Sequence, residues 1–513
     1  MRLKLSALFL STALATGFGM GALVLLSPAA PVAMAQDAAQ PGEVDVDALL
    51  KLVPPQVTAT YESKSYDSMS GVTTVKNLKI AKAGDEAANY FQVAEIGLRG
   101  LDLAAFDHVF NFNAYGAAPD ETFKPLFGDV TVKGVTIVVD GAPAGSIESL
   151  NFGGLQMKQL QVKPPGQGGG ATEADGIKFA GALLDSIIIG PVDLTNLAID
   201  AQGQKVTLGK LALAGYTRGQ YGASSLESFE TVAEGNTTKM ASATAEGGDI
   251  SKVLPWMIKA EMPPVAPEPL LYFGPGQVSG LDYDIMGTKV SIASYGIDAM
   301  TFYWLVPSSL KFTLNDMVIV PGGPMGNPLG EIGLERLDID FGLDWAFDGD
   351  AGTAKLKELR ISESQLADAV LAVDLSSINL AQLVNPDTMQ GAAMTIGLGF
   401  AQLYLKNNGG FQKLLDVQAK QMGSTPDAVR QQALDQLTAL EGGIPGPSGE
   451  PTPPSERVKG IIASLKAFIT SPGTLTIKVQ PATPVNAMSG MGAMMDPMGA
   501  ADTLGVTVEA TPQ

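Results

Sequence analysis

The 513-residue chain has no cysteine, one histidine and three tryptophans, and each shortage removes a class of chemistry. Without cysteine there are no disulfides, no thiolate metal sites and no cysteine nucleophile, so stability must come from packing alone. With His108 as the single histidine, a histidine-based zinc site is excluded by count. No G-x-S-x-G elbow surrounds a serine, so a Ser-His-Asp triad has no nucleophile; His108, in "DLAAFDHVFNF", reads as a surface or capping residue of a short helix. Trp256, Trp304 and Trp345 each lie in an apolar run, where core packing accounts for them better than a sugar platform does.

Cations are also scarce. There are 33 Lys and Arg against 53 Asp and Glu, which argues against a nucleic-acid partner. Carboxylates are abundant enough for an acid-pair hydrolase, although the poverty of aromatic platforms speaks against one. "DGDAG", Asp348 to Gly352, superficially resembles a calcium loop. The twelfth position is Leu359 and not a bidentate glutamate, so a hairpin turn is expected. "PPGQGGG" and "YFGPGQ" lack the Lys-Ser/Thr and helix of a phosphate loop and read as loops. No catalytic residue, cofactor site or metal site is assigned, and the chain is expected not to be an enzyme.

What the chain does have is export signals and alternation. Arg2 and Lys4 precede an apolar stretch, and Ala33-Met34-Ala35 fits a signal-peptidase site, so residues 1–35 read as a cleaved leader with Gln36 as the mature N-terminus. Ser6 to Leu26 is uncharged and long enough to serve as an inner-membrane anchor if uncleaved. The expected location is the periplasm.

"LDIDFGLDWAF" places Leu337, Ile339, Phe341, Leu343, Trp345 and Phe347 on one face of a strand, with Asp338, Asp340 and Asp344 on the other. After the "DGDAG" turn, "AKLKELRIS" returns as a second strand with a bulge between Leu356 and Leu359. A repeat of form φ-x-x-φ-x-φ-x-G, φ being apolar, recurs in "VAEIGLRG", "IESLNFGG", "LGKLALAG" and "MASATAEGG", and more loosely in "IASYGIDAM" and "LGEIGLERLDI". The three-residue step inside it breaks alternation and suggests a bulge that coils the sheet. The fold expected is mainly β: a long curved antiparallel sheet, as a β-groove or β-repeat, with a smaller helical C-terminal module.

Residues 36–405 are read as the β-rich repeat domain and 406–442 as a helical segment, with Thr425 as N-cap and Pro426 at its first position. Residues 443–455 are a Pro/Gly linker, and 456–513 a helix-strand-helix-strand module. In the last of these, Met488, Met491, Met494, Met495 and Met498 follow helical spacing. They suit an apolar packing face or a pliable lid better than a Cu(I) site.

The units "VAEIGLRGLDL" and "LGKLALAGY", the pair "LDIDFGLDWAFDGDAGTAKLKELRIS" and the ending "AFITSPGTLTIKVQPATPV…ADTLGVTVEA" resemble exported alphaproteobacterial proteins similar to the repeat region of AsmA-like proteins. The resemblance implies an apolar β-groove and a phospholipid or other acyl lipid as ligand. The groove or lid residues expected are Leu337, Ile339, Phe341, Leu343, Trp345, Phe347, Met491, Met494 and Met498. The competing expectation is a structural component of the envelope, with a filled core and an acidic face that meets a protein partner.

Overall fold

The computed structural model describes residues 42–513 except 52, 54–55, 110–119, 161, 163–171, 202, 266–268, 305, 324–325, 446–450, 495–496 and 513. The leader at 1–35 and the loop Pro164–Gly170 therefore lie outside the described residues. The chain is mainly β, and 20 of its strands are assigned to one long antiparallel sheet that does not close. Two compact units divide it: one runs to Leu226 and includes Leu254–Glu261, the other holds Glu227–Val253 and Met262 onward.

In the first unit, Val72–Lys82 pairs on one side with Val57–Thr60 and Ser63–Asp67, and on the other with Tyr90–Arg99. Val130–Val139, Ala142–Phe152, Val192–Ala201 and Gln204–Leu213 follow, each antiparallel to the one before. Register brings Leu78, Val93, Val135, Ile147, Leu197 and Leu208 into one row across six strands. The short helix Val46–Lys51 and its approach cover this face, because Val44 and Val46 are buried in the same cluster as Val93, Val135 and Ile147. The Val44 N–H donates to the buried Thr73 Oγ1 at 2.9 Å, which fixes the covering segment in place.

In the second unit the ladder begins Asn236–Ala245, Gly276–Ile285, Thr288–Ile297 and Ser309–Val320. It continues through Leu337–Asp348, Thr353–Glu363, Ala367–Ser376 and Gly397–Asn407. Thr474–Val479 then pairs with Gly397–Asn407, and Val506–Thr511 with Thr474–Val479, so strands from the C-terminal segment extend this ladder. Between them lie the helices Gly410–Met422, Pro426–Glu441 and Glu456–Thr470. The Thr425 side chain caps the second by accepting from the Ala428 N–H, as the sequence anticipates, and Ser455, read there as the end of the linker, caps the third by accepting from the Val458 N–H.

Many long strands continue round a corner into a short one, and the short strands form a second ladder. In the first unit this ladder contains Lys124–Phe127, Leu155–Met157 and Ile187–Ile189; in the second, Leu271–Phe273 and Met300–Tyr303. The repeat's terminal glycines mark these corners: Gly100, Gly154, Gly215 and Gly247 all have positive φ. Backbones cross here with no room for a side chain, since a Cβ on Gly190 would lie 2.1 Å from the Gly153 oxygen, and one on Gly274 1.6 Å from the Glu246 oxygen.

The three-residue step has a different cause from the bulge expected. Register runs without an inserted residue from Lys76↔Glu95 to Leu78↔Val93, and likewise from Thr195↔Lys210 to Leu197↔Leu208. Instead, a residue in the left-handed region sits in mid-strand at Asn77, Gly134, Asn196 and Gly280, in strands paired with the repeat units and opposite their three-residue step. One such residue shifts the phase of alternation, so the apolar positions step by three while pairing continues. A register shift does occur where the second hairpin strand was expected to bulge, between Leu356 and Leu359.

Candidate functional site: an apolar sheet face

Leu337–Asp348 spans the strand predicted from alternation. Asp348 ends it, its Oδ1 accepting from the N–H groups of Asp350 and Ala351 at 3.0 and 2.9 Å, so "DGDAG" is a carboxylate-capped turn. The two faces of the strand then diverge. On the polar face, Asp344 pairs with Lys357 at 3.3 Å, and Asp340 Oδ1 accepts from the Asp316 N–H at 2.8 Å.

On the apolar face, pairing extends each predicted residue into a row. Leu343 lies beside Phe312 and Ile297 in one direction and Leu359, Leu371, Leu403, Ile477 and Val508 in the other. Phe341 continues through Leu314 and Tyr295, and on its other side through Ile361, Ala369, Leu405 and Leu475. Trp345 continues through Leu356, Val373, Ala401, Val479 and Val506. Ring centroids of Phe312 stand 5.7 Å from Phe341 and 6.4 Å from Tyr295, so the rows also touch diagonally.

These rows are not packed as a core. Phe347 is buried, whereas Leu337, Ile339, Phe341, Leu343 and Trp345 are only half-buried; Ile361 is 50% and Leu403 39% exposed. Apolar rows in a filled sandwich interior would be closed off from solvent. The Trp345 indole N–H donates to the Pro307 carbonyl at 3.1 Å, which satisfies its one polar atom and leaves the ring as apolar surface. Trp304 is tied in the same way to the Pro263 carbonyl, at 3.0 Å.

The structure brings the six predicted strand residues onto one face. The predicted methionines fall in two short helices, Ala487–Met494 and Pro497–Thr503, and the side chains of Met491, Met494 and Met498 lie outside the described residues. Sequence reasoning missed Tyr295, Phe312, Leu371, Leu403 and Ile477. Leu371 sits in a strand with apolar residues on both parities, "AVLAVDL", whereas Phe312 and Ile477 sit in alternating stretches that only pairing joins to the face of Leu337–Asp348.

The charged clusters lie elsewhere, in the first unit. His108 Nε2 stands 2.9 Å from Asp120 Oδ2 at the end of the short helix Leu103–Val109. Asp120 is held down to about 2, chiefly by the Thr122 backbone N–H and then by the Thr122 side chain. Its carboxyl is thus engaged in a turn. The buried Lys158 Nζ reaches Asp185 at 2.5 Å and Glu121 at 2.6 Å, and Arg218 reaches the other Asp185 oxygen at 2.9 Å. Burial pushes the Asp185 pKa up, but the hydrogen bonds from Lys158 and Arg218 outweigh it and leave the carboxyl below its ordinary range. This network ties the end of the helix Glu173–Asp185 to the short ladder and has the form of a structural clamp.

Among the described residues, no group of three or more His, Asp or Glu is placed to hold a metal ion, and no helix is long and apolar enough to cross a membrane. Neither curated proteins nor solved structures yield a match. A family model described as "Uncharacterized protein" matches residues 350–511, which takes in the second half of the apolar face from Thr353–Glu363 to Val506–Thr511.

Proposed function

We propose that the chain is a non-enzymatic, exported envelope protein that binds or transfers lipid, with acyl chains lying on the apolar face of the second unit. The observation that carries this reading is the row through Leu343, which is apolar from Ile297 to Val508 yet half-open. At about 4.8 Å between neighbouring strands, such rows offer apolar surface continuous over tens of ångströms. Each acyl methylene removed from water contributes about 0.8 kcal/mol, so a ligand of this kind needs few polar contacts. The resemblance to AsmA-like repeats and the leader-like N-terminus support the same ligand class and a periplasmic location.

Protein purified from a bacterial envelope should release phospholipid on solvent extraction, detected by mass spectrometry. An empty extract, together with no stoichiometric uptake of a fluorescent fatty acid, would sink the proposal and favour a structural component of the envelope.

A further inference from the structure

Some successive long strands are joined by two-residue hairpin turns, and one of these carries an apolar residue. Asp140-Gly141 and Glu234-Gly235 put a carboxylate at the first turn position; the turn after Gly276–Ile285 puts Met286 there, followed by Gly287. Both turn positions have positive φ, 52° at Met286 and 89° at Gly287, a geometry that Asn, Asp or Gly adopts at least cost. Met286 gains nothing from packing in exchange, because it is 73% exposed, and Ile285 before it is 53% exposed. An unfavourable backbone holding an unburied apolar side chain has no explanation in the fold itself.

The tip is nevertheless held firmly. The Met286 N–H donates to Asn236 Oδ1 at 3.1 Å, the Gly287 N–H to Asp284 Oδ1 at 3.2 Å, and the Thr288 hydroxyl to the Gly322 carbonyl at 3.4 Å. Gly323 passes so close that a Cβ there would lie 1.8 Å from the Met286 oxygen. The tip therefore presents its apolar pair on a fixed scaffold. It also stands at the end of the apolar face, next to the row Tyr283, Val290, Ile319 and Leu337.

We infer that Ile285 and Met286 form a foot that dips into the surface of a lipid bilayer and sets the rim of the apolar face against it. The partner is an uncharged or zwitterionic lipid surface. With 53 acidic against 33 basic residues, the chain is repelled by its own copies and by anionic lipid, and the tip itself carries Asp284 beside Lys289 without a basic cluster. The inference rests on the lipid-binding reading for its purpose, but the foot is a separate surface and is tested separately.

The test is flotation of the full chain with phosphatidylcholine vesicles, run in parallel with uptake of a fluorescent fatty acid. The double variant Ile285→Asn, Met286→Asn keeps the turn, since Asn suits the left-handed position, and should melt no lower than the parent. It should float at least about tenfold less, while fatty-acid uptake is unchanged. Equal flotation of variant and parent, or no flotation of the parent, overturns the foot. A parent that self-associates through this tip without binding vesicles also overturns it, in favour of a second copy as partner. Tip-dependent flotation without fatty-acid uptake would uphold the foot and remove the lipid-ligand reading instead.

Discussion

The two units carry the same kind of apolar row and put it in different surroundings. In the first, Val135 and Ile147 are buried, Ile147 to 1% exposure, under a segment that contributes Val44 and Val46. In the second, Leu343 and its neighbours stand half-open, and Ile361 and Leu403 are exposed. Among the described residues the first row has a covering segment in Val44 and Val46, and that turns one alternating pattern into a core while the other stays half-open.

The largest effect expected from this contrast comes from a charge placed in each row. Ile147→Asp buries an unpaired carboxylate and should cost upwards of about 4 kcal/mol, read as loss of a cooperative thermal transition in the first unit. Leu343→Asp should leave the melting profile nearly intact and abolish fatty-acid uptake. Equal destabilisation by the two would break the comparison.

A smaller effect is expected from thinning the cover. Val44→Ala with Val46→Ala should cost about 2 to 3 kcal/mol in denaturant titration and create fatty-acid uptake in the first unit. If stability falls with no new uptake, the cover is only a part of the core and hides no latent binding face.

Acid should also separate the units. Asp120 and Asp185, both in the first unit, have folded pKa values below the ordinary 3.8. Their contribution to stability is complete above that value and is lost as pH falls through the folded pKa, about 2 for Asp120. Hydrogen exchange followed from pH 5 down to about 2 should show the segments 120–126, 155–160 and 173–189 loosening progressively. Protection there that is flat over this range would show that neither carboxylate stabilises the fold.

The smallest change expected is a gain. Met286→Asn relieves a left-handed methionine and should stabilise the second unit by about 0.5 to 1 kcal/mol in chemical denaturation, since the side chain lost makes little contact. A destabilised variant would mean that Met286 packs in solution.

Much of the local structure was legible because it depends on neighbours in sequence. Leu337 to Phe347 alternates without interruption, so the strand and its apolar face follow directly. Thr425-Pro426 announces a helix start through the side-chain oxygen that Thr425 offers to the Ala428 N–H, three residues on. The repeat was legible as a pattern, but its cause was not. A three-residue step looks the same whether a residue is inserted or a residue of the paired strand, such as Asn196 opposite the step from Leu208 to Leu211, turns left-handed; only the register of Leu197 against Leu208 separates the two.

The sequence by itself determined a β-rich chain with alternating strands, a repeat ending in glycine and a late helix capped by Thr425, because period and capping act over a few residues. Tertiary structure alone decided which strands share a row and which row is covered. Val44 reaches Thr73 and Ile147 only after the sheet has formed, and burial depends on what long-range pairing brings near. An uncovered Leu343 and a covered Ile147 carry the same local signal, so the candidate site became visible only when pairing and burial were read together.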